Sequence, residues 1–158
     1  MCSHADAERV AEGYAVIRRD YSAIWGDWFE ATGASPATLC LCTECTGSGY
    51  RPKRNELHLN LPEDNVVEAV DDAATDPRAA PPACIGWAAW KRELVHELLH
   101  EYQHKVVRGK VSPEGRRLGA QHRGCFDGPG HGPDYFTAIA EKAPYFRGIG
   151  AETLIDNL

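Results

Sequence analysis

Residues 87–102 read Trp87-Ala-Ala-Trp-Lys-Arg-Glu-Leu-Val-His96-Glu97-Leu-Leu-His100-Glu-Tyr102. The apolar residues recur at helical spacing, so the stretch predicts a helix, with bounds near Ile85 and Val107. On a helix, a four-residue step puts His96 and His100 on one face, about 6 Å apart along the axis. Two imidazoles at that separation can share one zinc ion. Glu97 follows the first of them and can point at a metal-bound water. Two neutral ligands, an open coordination position and a carboxylate to accept a proton are what a zinc hydrolase requires.

A catalytic zinc takes three protein ligands, so a third must come from elsewhere. His104 continues the four-residue series, but positions i, i+4 and i+8 span about 12 Å, beyond the reach of one ion. Glu101 points to a neighbouring face of the helix. His122 sits in a basic stretch with nothing local to fix it. His131 lies in Gly130-His131-Gly132-Pro133-Asp134-Tyr135-Phe136. There the glycines permit close backbone approach, and Pro133 suits the first turn of a helix. The pattern favours His131 among the four.

His-Glu-Leu-Leu-His followed by Gly-His-Gly-Pro-Asp-Tyr resembles the SprT-like zinc metalloproteases, the family that includes the Spartan-type DNA–protein crosslink proteases. Tyr135 stands at the aromatic position that opens the family's last helix, and Ile139 at a later apolar position. The strand Glu56-Leu-His-Leu-Asn-Leu, before a loop and the motif helix, is similar to the family's order of elements. The resemblance covers roughly residues 37–145. It implies that His96, His100 and His131 bind one catalytic Zn2+ and that Glu97 is the general base. It implies an α+β, minimal zincin-like domain, with a small antiparallel or mixed sheet packed on a long N-terminal helix and the motif helix. The expected activity is hydrolysis of peptide bonds in a protein substrate by a zinc-activated water. The alternative is a zinc-containing interaction or regulatory module with little general proteolysis.

The rest of the chain sets the frame. Its 158 residues, 43% hydrophobic, suit one domain, 1–158, with a sizeable core. No apolar run approaches a membrane span, and the N-terminus lacks a basic-then-apolar signal pattern, so the expectation is a cytoplasmic protein. The net charge of −6 argues against indiscriminate nucleic-acid binding. The charge is uneven, however. Residues 62–83 carry six acids against Arg78, whereas Lys105, Arg108, Lys110, Arg116, Arg117 and Arg123 stand against Glu114. Two solvated loops are the simpler account. The sharper one has the basic loop steering an acidic protein or DNA to the cleft.

Val10, Tyr14, Ile17, Tyr21, Ile24 and Trp28 form the stripe of a long first helix, capped by Ser3 and Asp6 and ending near Gly33. A strand is expected over Leu39 to Cys45, a turn over 46–50, and a half-buried strand through Leu57, Leu59 and Leu61. With the long helix before it and the motif helix after it, this pair reads as a hairpin. The outward face of the second strand, with His58 and Asn60, is a candidate border for substrate. Residues 62–83 read as a loop with one helical turn near Val66–Val70, and 110–130 as irregular. A helix follows Pro133 and breaks at Pro144, and a short one starts near Gly150. Reduced strand cysteines are the favoured state of Cys40, Cys42 and Cys45, ahead of a structural zinc or a disulfide there. A Cys84–Cys125 pairing is left open. His122, Arg123, Tyr102 and Tyr145 are the candidates for stabilising an oxyanion.

Overall fold

The aromatic and aliphatic stripe near the N-terminus does form one helix, α1 (His4–Phe29), 26 residues long. It is seen in a computed structural model that describes residues 4–44, 46–126 and 128–158, with side chains from residue 7. Ile17, Tyr21, Ile24 and Trp28 are buried, and Val10 and Tyr14 pack at the margin of the core. A single 3-10 turn and then Gly33, at φ +73°, end the helix. Gly33 adopts the left-handed conformation that glycine tolerates best. Ser3, half of the expected cap, lies outside the described residues.

Three strands follow: β1 (Thr38–Cys42), β2 (Gly49–Arg51) and β3 (Glu56–Asn60), in the order β1-β3-β2. β1 runs parallel to β3, with Cys40 opposite His58, and β2 runs antiparallel to β3, with Tyr50 opposite Leu57. The sheet is therefore mixed, and the expected β1–β3 hairpin is not one. The hairpin is β2–β3, closed through Asn55 at φ +49°. A three-residue strand is too short to show an alternation, so the pattern of the sequence passes over β2 and pairs its neighbours instead. Cys45, placed on a strand by that pattern, is outside the described residues. Leu57 and Leu59 face the core, and Glu56, His58 and Asn60 face outward.

α2 (Glu63–Glu68) and the 3-10 turn after it occupy part of the acidic stretch. The motif helix α3 runs over Ala89–Tyr102, shorter at both ends than its apolar pattern suggests. Pro81, Pro82 and Gly86 at φ +79° keep the preceding chain out of helix. After Tyr102 the winding loosens to a π turn, Gln103–Val107, which Arg108 ends at φ +51°. Residues 113–121 are not irregular but form α4 (Pro113–Gln121), capped by the Ser112 hydroxyl accepting from Gly115 N–H at 2.9 Å. Ser112 followed by Pro113 was the available start signal. The helix escapes notice because Leu118 is its single large apolar residue. α5 (Pro133–Lys142) and α6 (Ala151–Asp156) complete the chain, with Tyr135, Phe136 and Ile139 buried as expected. Among the described residues no helix is long and apolar enough to cross a membrane.

α1 and α3 are braced by two buried carboxylates. Asp20 accepts from Lys91 Nζ at 2.5 Å, and Lys91 also donates to the Pro77 carbonyl at 2.9 Å. Glu101, fully buried, accepts from Tyr21 Oη at 2.9 Å, Trp25 Nε1 at 2.8 Å and Lys105 Nζ at 2.5 Å. These bonds satisfy charges that would be costly if buried alone.

At Gly13, α1 touches α2 so closely that an added Cβ would lie 2.0 Å from the Val66 carbonyl oxygen. At Gly26, on the same helix, nothing lies within 4 Å of that position. Gly13→Ala should therefore destabilise by about 1–3 kcal/mol through overpacking. Gly26→Ala should stabilise by up to about 1 kcal/mol through helix propensity. Thermal melts of the two variants should move in opposite directions.

Candidate metal centre

α3 buries Leu94, Val95, Leu98 and Leu99, which turns His96 and His100 toward α5 and the loop before it. Both imidazoles are half-buried. His131 arrives on that loop. Its Nε2 lies 3.2 Å from His96 Nε2 and 2.9 Å from His100 Nε2. The chain can pass this close because Gly130, at φ +98°, brings bare backbone beside the His100 ring. The three histidines singled out in the sequence thus converge on one point.

The surroundings orient them. Gln103 Nε2 donates to the Gly130 carbonyl at 3.0 Å and to Asp134 Oδ1 at 2.9 Å. That leaves Gln103 Oε1 facing His100 Nδ1 at 2.8 Å, so Nδ1 carries the proton and Nε2 presents a lone pair. Gln103 therefore fixes a histidine tautomer and ties the helix to the loop that carries His131. The fully buried Tyr135 stacks on the His100 ring at 4.3 Å, and its hydroxyl donates to the His96 carbonyl at 3.2 Å. Phe126 packs against His96 and His131 with ring centroids 5.5 and 5.2 Å away.

Burial sets the protonation. Desolvation, aided by the neighbouring imidazoles, lowers the pKa of His96 to about 3. Desolvation is also the main cause for His100, lowered to about 4. Both rings are thus neutral at neutral pH, the form that ligates metal. Glu97 is pushed up to about 8 by burial and by the charge of Glu93, with the Tyr50 backbone N–H acting in the opposite direction. Its Oε1 lies 3.9 Å from His96 Nε2, and its buried Oε2 has no hydrogen-bond partner among the described residues. Three imidazole nitrogens facing one point, beside the Glu97 carboxyl, fit a borderline divalent ion such as zinc.

The other candidates have different duties. His104 packs on the Tyr50 ring, and Glu101 braces α1. Tyr102 donates to Glu141 and Tyr145 to Asp27, so neither phenol faces the histidines. His122 contacts Glu152 and Cys125. With Arg116, Arg123, Phe126 and Phe136 it also lines a cavity of about 420 Å³ that His131 borders. Of the six basic residues between the two histidine segments, Arg116 and Arg123 face this cavity, whereas Lys105 and Arg117 are paired with Glu101 and Glu114. Glu97 meets the sheet at β2, through the Tyr50 backbone N–H. Gln103 and Phe126 were missed in the sequence. A glutamine three residues after His100 was a usable signal, since i and i+3 side chains meet on a helix. Phe126 had none. No family model matches the chain, and no curated protein or solved structure matches it.

The tautomer is directly measurable. Long-range nitrogen–proton NMR correlations should show His100 protonated at Nδ1, and Gln103→Leu should remove that preference. A wild-type His100 protonated at Nε2 would contradict the hydrogen-bond assignment.

Proposed function

We propose that this protein is a zinc-dependent metallopeptidase with a minimal zincin-like architecture, of the SprT-like kind. One observation carries the reading: three imidazole Nε2 atoms meet beside a buried glutamate, one oxygen of which has no hydrogen-bond partner among the described residues. His96, His100 and His131 would hold the metal. Zinc bound there supplies Lewis-acid polarisation of a peptide carbonyl and lowers the pKa of a water toward neutrality. A dication held there would favour the ionised form of Glu97, whose Oε2 would take the proton from the attacking water and deliver it to the leaving amine. Gln103 keeps the His100 lone pair aimed at the metal, and Phe126 and Tyr135 exclude solvent from the ligands' flanks.

The substrate is an extended peptide segment. Glu97 meets β2 through the Tyr50 N–H, and β2 is an edge strand of the sheet, so a strand added along Gly49–Arg51 would lie close to the catalytic carboxyl. Arg116, Arg123 and His122 make the adjoining cavity basic, which suits a protein substrate with acidic character or one carried on DNA.

Glu97→Gln should retain the wild-type zinc content by elemental analysis, because Glu97 is not a ligand. It should cut hydrolysis of a disordered protein by at least about 100-fold, because only the proton acceptor is lost. His131→Ala should lose one equivalent of zinc relative to the wild type. Undiminished cleavage by Glu97→Gln would refute the mechanism, and wild-type protein that holds zinc yet cleaves nothing would favour an interaction module.

The basic cavity is tested separately. Binding of a DNA oligonucleotide should weaken steeply between low and moderate salt, and Arg116→Glu with Arg123→Glu should reduce it while zinc content is unchanged. Negligible binding at both salts would leave an acidic protein as the partner.

A further inference from the structure

We propose that Cys40, Glu56 and His58 form a second metal site, for a divalent transition ion of the zinc class, on the sheet face turned away from α3. The backbone brings the three together. Cys40 and His58 are register partners in the parallel β1–β3 pair. Glu56 and His58, two apart on one strand, share its outward face. His58 Nε2 lies 3.1 Å from Glu56 Oε2, and Cys40 Sγ lies 3.8 Å from the same oxygen. All three ligand atoms fall within 4.8 Å of one another. Tetrahedral coordination at ordinary zinc–sulfur, zinc–nitrogen and zinc–oxygen lengths separates neighbouring ligands by about 3.3–3.6 Å. Small side-chain rotations therefore suffice to enclose one ion.

The donor set and its setting favour metal over other chemistry. A thiolate, an imidazole and a carboxylate are ligands that zinc accepts together, and three of them leave a fourth position open. His58 and Glu56 are 17% and 22% exposed, so the site is partly desolvated but open to an entering ion. Arg54 approaches Glu56 Oε1 at 3.9 Å, which leaves Oε2 to the other two groups. A cysteine nucleophile would need His58 between the thiol and the carboxylate. Here the carboxylate is the hub and occupies the histidine's Nε2. Burial and Glu56 also push the Cys40 thiol up, the opposite of an activated nucleophile. A bound ion would lock β1 to β3 at a pair otherwise held by backbone bonds. Cys42, next on the same face of β1, is disulfide-bonded rather than reduced, so it does not compete as a thiolate.

Cobalt(II) titration of the full chain, in buffer free of thiols, tests this independently of the three-histidine centre. A cysteine ligand gives a sulfur-to-cobalt charge-transfer band in the near ultraviolet, whereas three imidazoles give none. The wild type should develop this band, and zinc should bleach it. Cys40→Ser should abolish the band with an unchanged circular-dichroism spectrum, and His58→Gln should weaken cobalt binding. The Cys84→Ser/Cys125→Ser double variant, which removes two exposed free thiols, should keep the band, as should His131→Ala. A wild type without the band, or a band that survives Cys40→Ser, would overturn the proposal.

Discussion

The pitch of one helix governs the candidate centre. α3 can bring two imidazoles to one side at a four-residue step, but it cannot bring a third within reach of the same point. Everything else around the centre follows from supplying that third nitrogen from a distant segment. α5 must dock against α3, and its preceding loop must run beside the His100 ring. Gly130 permits the approach, and Gln103 bonds to both segments. The π turn that begins at Gln103 sits where α3 hands over to this network. Such irregular turns recur at functional sites because they re-aim side chains that a regular helix would send elsewhere.

α3 must itself be held against the rest of the protein. Its outer faces meet α1 through a salt bridge at Asp20 and Lys91 and through the carboxylate of Glu101. Each of these buried charges is satisfied by more than one partner, so the helix has little freedom to slide or rotate. Glu101 is adjacent to His100 in sequence, yet its position about 100° further round the helix turns it to α1. One turn of α3 thus carries a residue of ligand type in a structural role and a convergent histidine on a neighbouring face. Residue type alone does not separate them, whereas helical phase does.

The same contrast between phase and type runs through the sheet. Leu57, Leu59 and Leu61 announce β3 by alternation, and the outward placement of Glu56 and His58 follows from it. The partner across the strand does not. Cys40 meets His58 because β1 lies parallel to β3, with β2 on the far edge. A three-residue β2 without periodicity hides that topology. α4 was hidden in a related way, since an arginine- and glycine-rich segment with one large apolar residue shows no stripe, although Ser112 and Pro113 mark its start.

The sequence by itself determined the local facts: the long first helix, the motif helix, the Leu-alternating strand, the helix after Pro133, and the shared face of His96 and His100. These depend on periods of 3.6 and 2 residues and on chain punctuation, which act over a few neighbours. It also pointed to His131, through the glycines and proline around it. Only the tertiary structure decided that the His131 nitrogen lies within 3.2 Å of the other two, that Gln103 fixes the His100 tautomer, and that Phe126 packs over the histidines. It also decided that β1 and β3 run parallel and that Arg116 and Arg123 face the cavity while their basic neighbours do not. Those outcomes depend on which distant surfaces dock and at what angle. Packing of the whole core sets that choice, and no local period records it.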